Sequence, residues 1–543
     1  MKKYFSLLAL VIAVLSFTSC NHAPGKKPKL VVGIVVDQMR WDYLQRFYSK
    51  YGETGFKRLM QQGYSCDNTH INYFPSYTGP GHACVYTGSV PSIHGIAGNA
   101  WYDQDTKKKM NCVDDPNATL VGVGTLDGHV SPRNLLSTTV TDELRLATNF
   151  KSKVVSVALK DRSAILPGGH HPNGAYFVDG NSGNFITTSY YMKQIPAWVT
   201  EFNNHDRVRK YLDQDWNTLL PIDQYTESTK DDEPYERTYA GESKPVFPHH
   251  LAKISRGHPD VISNTPFGNS LTLDFARTAV DAEHLGEGNF TDFLAVSLSS
   301  TDLVGHQFGP NSIEAEDCFL RLDRDLGEFF KYLDEKVGKE NYVIFLTADH
   351  GAAHSVDFMA DNQIPAGSFN IDSVTARIND TLQKKYGEGT WIVSHENMQL
   401  YLNRDLVAQK KVNATEIFSL IKPYLMSYNA IADVIDLQNI ANTQVQNDIR
   451  TRLTNGYNIK RSGDFQILYN PGWVEGFKQG ATHGTPYAYD THIPLLFMGW
   501  KIKHGLDNYP VFMTDIAPTV AALLKIQEPS GTIGKPIVSV LPK

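Results

Sequence analysis

A basic excess, long apolar segments and paired cysteine motifs are all missing from this sequence of 543 residues. Lys and Arg number 51 against 58 Asp and Glu, and the net charge of −7 argues against a nucleic-acid partner. No stretch after residue 20 reaches the ~18 consecutive apolar residues of a membrane-spanning helix. The five cysteines include no C-x-x-C pair, so a cysteine-ligated metal site is not expected. The composition, 41% hydrophobic and 20% charged, is that of a globular protein and excludes a mainly disordered or coiled-coil chain.

The first 20 residues have the layout of a signal peptide, with two early lysines, a short apolar run and small or polar residues before Cys20. The letters F-T-S-C that end at Cys20 resemble the lipidation box of bacterial lipoproteins, with Phe17 where an aliphatic residue is usual. The sequence therefore predicts a signal peptide over 1–20, lipidation of Cys20 and a tether over 21–29; ordinary secretion is the alternative. We expect a periplasmic or outer-membrane-anchored protein that contacts a membrane only through this anchor, and we favour a monomer.

The remaining cysteines are Cys66, Cys84, Cys112 and Cys318. An exported protein can oxidise them. Three pairings are possible, and the sequence does not choose among them. We expect either one or two structural disulfides or buried thiols.

Five continuous apolar runs are typical of strands buried on both faces of a parallel sheet. They are 29–37, 154–159, 293–298, 342–347 and 494–498. Helical spacing of apolar residues predicts a helix over 314–335 and a C-terminal helix over 514–524. Strands that alternate with helices indicate an α/β fold with a doubly wound, mostly parallel sheet flanked by helices. Ligands of such sheets bind at the carboxyl ends of the strands.

Two stretches interrupt this alternation within a catalytic domain that we expect to span 30–543. The stretch 167–257 is rich in Gly, Asn, Pro and Tyr, and the stretch 375–470 is mostly helical and polar. We interpret both as insertions or a cap on the main sheet.

Metal-type ligands stand at four predicted strand ends: Asp37; Asp302 and His306, spaced D-x-x-x-H; Asp349 and His350 in TADHG; and His483 in ATHGT. Side chains at i and i+4 of a helical turn point the same way. Three Asp and three His suffice for two zinc-like ions that each keep a position open for substrate. Imidazoles favour zinc over magnesium.

Polar groups suited to phosphate chemistry accompany these ligands. Thr78 precedes Gly-Pro-Gly and a helix-like segment, where a metal-bound hydroxyl could ionise and act as a nucleophile. Lys160 and Arg162 follow the strand at 154–159; an Arg can grip two phosphoryl oxygens, and a Lys adds a point charge. The amide of Asn99 could donate to the same oxygens.

The motifs VVDQMRWDYL, FPSYTGPGHACVYTG, HGIAGN, LKDR, STDLVGHQFGP, TADHG and ATHGT resemble, in this order, the alkaline phosphatase superfamily. Their pattern is similar to its single-threonine, phosphate-irrepressible bacterial branch, the PafA type. The resemblance covers most of the chain after the signal region and implies an alkaline-phosphatase-like fold.

The resemblance also implies two zinc ions and a role for each matching residue. Asp302, His306 and His483 would hold the first ion, and Asp37, Asp349, His350 and the Thr78 oxygen the second. Thr78 would form a phosphothreonine while Asn99 and Arg162 bind phosphoryl oxygens and Lys160 stabilises transition-state charge. The implied function is hydrolysis of phosphate monoesters with release of inorganic phosphate.

Two other functions stay open at this point. Related nucleotide pyrophosphatase/phosphodiesterases share the ligands and the threonine but are not expected to carry the Lys-x-Arg pair at 160–162. Two extra cations favour the more highly charged monoester, so a phosphodiesterase is the second choice. An inactive surface lipoprotein that only binds a ligand is a remote alternative, because all seven metal-binding side chains are intact.

Overall fold

The computed structural model describes residues 27–122, 128–476 and 478–542. The predicted signal peptide, Cys20 and most of the predicted tether lie outside these ranges. Ten strands form the main sheet. In chain order they are β1 Leu30–Val36, β2 Tyr64–Cys66, β3 Leu120–Val121, β4 Val154–Val157, β5 Gly174–Val178, β6 Phe185–Thr188, β7 Asp292–Leu298, β8 Tyr342–Thr347, β9 Leu495–Gly499 and β10 Gly505–Asp507.

The sheet is mixed, with the order β10-β2-β9-β8-β1-β7-β4-β5-β6-β3. The five central strands from β8 to β5 run parallel. Antiparallel pairs attach β9 and β2 on one side and β6 and β3 on the other. The predicted α/β sheet flanked by helices is therefore confirmed. Its parallel pairing comprises the five central strands and the pair β10 and β2 at one edge.

Every residue of β1 is buried, as its continuous apolar sequence predicts. Gly33 is required in this strand because a Cβ there would lie 2.5 Å from Cζ of Phe345 and 2.6 Å from the Tyr86 hydroxyl. The central strand thus accepts aromatic rings from β8 and from a neighbouring helix at van der Waals distance.

Six helices matter for the site and the sheet faces. They are α1 Thr78–Thr87, α2 Asp161–Gly168, α3 Phe267–Ala282, α4 Ser300–Phe308, α5 Ile313–Lys336 and α6 Ile516–Leu524. The observed α5 is one residue longer at each end than the predicted helix, and a 3₁₀ turn occupies the first residues predicted for α6. Further helices are Tyr43–Arg46, Phe56–Gln62, Pro91–His94, Val140–Ala147, Ala197–Asn204, Arg207–Leu212, Leu251–Ser255, Val356–Asp361, Arg404–Lys410, Asn447–Gly456 and Ala488–Thr491.

The two predicted insertions differ from expectation. The stretch 167–257 contributes β5 and β6 to the main sheet before its irregular part begins. The stretch 375–470 contains helices, as its sequence predicts, and in addition a four-stranded antiparallel sheet. Its strands are Ile392–Glu396, Gln399–Leu402, Phe465–Tyr469 and Ile431–Asp436, and helices Ile371–Tyr386 and Ala414–Leu425 supply further residues of its own apolar cluster.

Small sheets join the remaining strands. Thr69–His70 pairs with His492–Ile493 and Val511–Phe512, Ala100–Asp103 with Lys108–Asn111, and Gly367–Phe369 with Trp473–Glu475. In the described part of the chain, no helix is both long enough and apolar enough to cross a bilayer.

The four cysteines of the described chain, Cys66, Cys84, Cys112 and Cys318, are free and buried. Burial raises the pKa of the Cys66 and Cys112 thiols to about 12. Of the two possibilities that the sequence left open, the structure therefore has buried, protonated thiols rather than disulfides.

Candidate active site

The candidate site lies at the carboxyl ends of the parallel strands. Asp37 directly follows β1, Asp302 lies in the first turn of α4 behind β7, and Asp349 follows β8. Because β1 pairs with both β7 and β8, the three carboxylates meet at one edge of the sheet. All three are at most 2% exposed.

One group of ligand atoms comes from Asp302, His306 and His483, which all lie within 4.8 Å of one another. Asp302 Oδ1 is 3.1 Å from Nε2 of His306, four residues later on α4, and 3.8 Å from Nε2 of His483. His306 is half-buried, whereas the other two are buried. This group therefore opens to solvent beside His306.

A second group comprises Asp37, Asp302 and His350. His350 Nε2 lies 3.4 Å from Asp37 Oδ1, 3.5 Å from Asp349 Oδ2 and 3.4 Å from the Thr78 hydroxyl. Asp302 thus borders both groups. The six Asp and His side chains and Thr78, scattered over most of the chain, are brought together.

Each of the three histidines has one ring nitrogen occupied by a backbone carbonyl. Nδ1 lies 2.7 Å from the Ala481 oxygen in His306, 3.0 Å from the Gly351 oxygen in His350 and 2.8 Å from the Ser76 oxygen in His483. A carbonyl only accepts, so Nδ1 carries a proton in each ring, and in the neutral ring Nε2 keeps its lone pair for a ligand. Burial also lowers the pKa of His350 and His483, which favours neutral rings.

Two buried carboxylate oxygens of the site, Asp37 Oδ1 and Asp349 Oδ2, have no hydrogen-bond donor among the described residues. Burial, followed by the charges of Asp302 and Asp349, raises the pKa of Asp37 well above its usual range. Burial opposes the ionisation of Asp302, but His306 and Lys160 hold its pKa well below the usual range. Three buried carboxylates beside imidazoles, with two oxygens left without a donor, suit a divalent cation, and this donor set suits zinc.

Lys160 lies closer to the carboxylates than the sequence suggests. Its Nζ is 2.6 Å from Asp37 Oδ2 and 2.6 Å from Asp302 Oδ2. Burial disfavours the ammonium, but the two carboxylates raise the pKa of Lys160 overall. Arg162, in the first turn of α2, has a buried Nε without a hydrogen-bond acceptor among the described residues. Lys160 therefore contacts two carboxylates of the site, and Arg162 follows it by two residues.

Thr78 is the first residue of α1 and is 1% exposed. The next residue, Gly79, donates its backbone N–H to Asn99 Oδ1 over 2.7 Å. Because Asn99 Oδ1 already accepts this hydrogen bond, the Asn99 NH₂ group is the part of the side chain that can donate to a ligand. Gly81 lets α1 approach closely, since a Cβ there would lie 2.6 Å from both Cβ and the carbonyl oxygen of Asp349.

Sequence reasoning missed two residues of the site, Gln38 and His82. Gln38 donates its backbone N–H to Asp349 Oδ1 over 3.1 Å and its side-chain NH₂ to Asp302 Oδ1 over 2.6 Å. His82 lies 2.9 Å from the Thr78 carbonyl and 3.3 Å from Asp349 Oδ2. Their positions offered a signal, because Gln38 follows a strand-end Asp and His82 lies one helical turn after Thr78.

Comparisons with known proteins agree with this geometry. A family model described as type I phosphodiesterase / nucleotide pyrophosphatase matches residues 31–492. The chain is 50% identical to alkaline phosphatase PafA of Elizabethkingia meningoseptica, over 99% of both chains. It is 49% identical to alkaline phosphatase PhoV of Synechococcus elongatus, over 98% of this chain and 99% of that one. The crystal structure of wild-type PafA matches with a TM-score of 0.93 at 51% identity, over 95% of this chain and 99% of that one. The chain therefore belongs to the type I phosphodiesterase / nucleotide pyrophosphatase family and, within it, to the branch of the PafA-like alkaline phosphatases.

Proposed function

We propose that this protein hydrolyses phosphate monoesters through a phosphothreonine at Thr78 and releases inorganic phosphate. Membership of the PafA-like branch makes the chain an alkaline phosphatase. The observation that carries the proposed chemistry is the position of the Thr78 hydroxyl at the start of α1, 3.4 Å from Nε2 of His350 and beside the buried carboxylates. A hydroxyl held at a helix start, among groups that fit a cation, is suited to nucleophilic attack.

In the first half-reaction, the Thr78 oxygen forms a bond to phosphorus while the bond to the leaving alcohol breaks. In the second, water attacks the phosphothreonine, the Thr78–phosphorus bond breaks, and inorganic phosphate leaves with the threonine restored. Both steps are in-line displacements at phosphorus. Asn99 and Arg162 bind non-bridging phosphoryl oxygens and keep phosphorus in line with the Thr78 oxygen.

We assign two zinc ions to the site. Asp302, His306 and His483 would hold the first, and Asp37, Asp349, His350 and the Thr78 oxygen the second. When bound, such ions lower the pKa of the threonine hydroxyl and neutralise charge on the attacking and leaving oxygens. Two groups of ligand atoms that meet at Asp302 support this number.

The preference for monoesters rests on Lys160 and Arg162. A monoester carries one more negative charge than a diester, so each additional cation gains more interaction energy with the monoester. With cations bound to the carboxylates, Lys160 is free to donate to the phosphoryl group instead. The relatives PafA and PhoV are alkaline phosphatases, which supports the same preference.

The location that we propose is outside the cytoplasm, as a protein anchored through an acylated Cys20. The layout of residues 1–20 supports export, and the F-T-S-C sequence supports acylation. Hydrolysis of diverse external monoesters, with phosphate as the product, fits this location.

The decisive experiment measures kcat/KM on 4-nitrophenyl phosphate and on bis(4-nitrophenyl) phosphate, with metal content determined on the same sample. We expect faster turnover of the monoester, two zinc ions per chain and a phosphothreonine after acid quenching. Faster turnover of the bis-ester would assign the phosphodiesterase function instead, and manganese as the only metal that restores activity would overturn the zinc assignment.

A further inference from the structure

The amino ends of the parallel strands form a face opposite the active site, which we call the basal face. It comprises the loops 27–29, 149–153, 287–291, 337–341, 500–504 and 525–528. Main-chain contacts join these loops: the Lys29 N–H donates to the Asn341 carbonyl over 2.6 Å, and the Lys29 carbonyl accepts from the Asp292 N–H over 2.9 Å. The first described residues therefore enter the domain in the middle of this face.

The basal face is positive although the chain as a whole carries −7. Its loops contain eight lysines and three glutamates, namely Lys27, Lys29, Lys151, Lys153, Lys339, Lys501, Lys503, Lys525, Glu287, Glu340 and Glu528. Most of the lysines are exposed. The Glu287 carboxylate is already paired with Lys336 at 3.0 Å. Partial desolvation and the neighbouring Lys525 lower the pKa of Lys27, which indicates that these ammonium groups repel one another.

Two grooves shape this face. One, of 490 Å³, is lined by Arg58, Lys339, Lys501 and Lys503 as well as Glu340. The other, of 360 Å³, is lined by Lys27, Lys29, Phe290 and Leu524 among others. Cations thus surround concave surfaces that could receive anionic groups.

Exposed aromatic residues accompany the lysines. The Phe290 side chain is 38% exposed and lies 5.3 Å from the Lys151 ammonium, measured to the ring centroid. Phe150, in the neighbouring loop, is 47% exposed. Lysines next to exposed aromatic rings are typical of surfaces that rest at the interface of a bilayer.

We propose that the basal face rests on a membrane surface that carries anionic lipids, with phosphate headgroups at the lysines. Six residues lie between Cys20 and Lys27, so the Cα atoms of these two residues are at most ~25 Å apart. A lipid anchor at Cys20 would hold the basal face near the bilayer. Within ~8 Å of the bilayer surface, the lysines of this face would be attracted to anionic headgroups at physiological salt. The active site would then point away from the membrane, because it lies at the opposite ends of the same strands.

The test uses the mature chain from residue 21, which lacks the predicted signal peptide and Cys20 and so carries no acyl group, in co-sedimentation with vesicles. Vesicles of phosphatidylcholine with phosphatidylglycerol are compared with vesicles of phosphatidylcholine alone, at low and high salt. The variant is Lys339→Glu, Lys501→Glu and Lys503→Glu together. The control, Lys384→Glu, Lys385→Glu and Lys410→Glu, makes the same change of charge on exposed lysines elsewhere.

We expect binding to the anionic vesicles that high salt weakens, a loss of at least about tenfold in the basal variant, and little loss in the control. Unchanged turnover of a soluble monoester by both variants will show that they are folded. Equal binding to both kinds of vesicle, or equal loss in both variants, would overturn the proposal. Sedimentation without vesicles would overturn it as well and assign the face to a second copy of this chain.

Discussion

The rings of His350 and His483 stack with their centroids 3.5 Å apart and an angle of 11° between their planes. Two imidazolium cations would repel each other strongly at this distance, so the stack requires that at least one ring is neutral. Because both Nδ1 atoms face backbone carbonyls, both Nε2 atoms remain for cations on the inner side of the stack. The stack therefore places one proposed ligand of each metal position side by side.

Removal of metal should lower both activity and stability. Without cations, the buried carboxylates of Asp37, Asp302 and Asp349 repel one another, so the metal-free protein should unfold at a temperature lower by ~5 °C or more. Calorimetry with chelator and after addition of zinc measures this change.

His306→Ala should reduce the zinc content from two to one per chain, whereas His395→Ala, away from the site, should leave it at two. Equal zinc contents in the two variants would contradict the assignment of His306.

Loss of the Thr78 hydroxyl should abolish the phosphothreonine. We expect Thr78→Ala to reduce kcat on 4-nitrophenyl phosphate by roughly a thousandfold or more, while Thr78→Ser keeps part of the activity because it retains a nucleophilic oxygen. Thr87→Ala is the matched control, since Thr87 ends the same helix and its hydroxyl donates to the Ala83 carbonyl and accepts from the Ser89 N–H. Unchanged turnover in Thr78→Ala would remove this residue from the mechanism.

The close approach of α1 to Asp349 can be tested with a single methyl group. Gly81→Ala should push α1 away from Asp349, because the new Cβ would lie 2.6 Å from the Asp349 Cβ. We expect zinc affinity to fall by about tenfold or more, measured by competition with a chromogenic chelator. Gly288→Ala should have no effect, since its nearest neighbour, the Phe290 nitrogen, lies 3.9 Å from the added Cβ. Wild-type affinity in Gly81→Ala would show that the helix yields without disturbing the ligand.

Substrate preference should depend on the two cations that follow β4. We expect Lys160→Ala with Arg162→Ala to reduce kcat/KM on the monoester by at least ~100-fold and on the bis-ester by about tenfold or less. Lys153→Ala, at the other end of β4, should change neither rate. Equal losses on both substrates would refute the electrostatic argument for monoesters.

Stability at alkaline pH should be limited by the buried carboxyl group of Glu236. Burial, and then the charge of Glu314, raises the pKa of Glu236 to about 10. A group whose pKa is raised on folding contributes stability below its unfolded value of ~4.3, and this contribution is lost as the pH rises towards 10. Glu236→Gln should therefore unfold ~2 °C or more above the wild type at pH 9, with a smaller difference at pH 5. The exposed control Glu328→Gln should unfold at the wild-type temperature at both pH 9 and pH 5. If the difference in unfolding temperature between Glu236→Gln and the wild type does not grow with pH, this explanation is wrong.

The sequence alone indicated most of the residues that meet at the site. Continuous apolar runs marked the central strands, and the polar residue after each run marked the edge where ligands bind. This reasoning works because strand periodicity and strand-end position are local properties. Local patterns did not predict β5, β6 or the sheet over 392–469. The first two strands lie in a segment that looks irregular in sequence, and polar helices separate the strands of that sheet.

Only the tertiary structure decided how these side chains face one another. Asp302 belongs to both groups of ligand atoms. Lys160 and Gln38, which follow strands β4 and β1, both contact its carboxylate. The thiol state of the cysteines and the gathering of lysines on the basal face are likewise set by contacts between distant segments. Such contacts depend on sheet order and packing, which local sequence patterns do not encode.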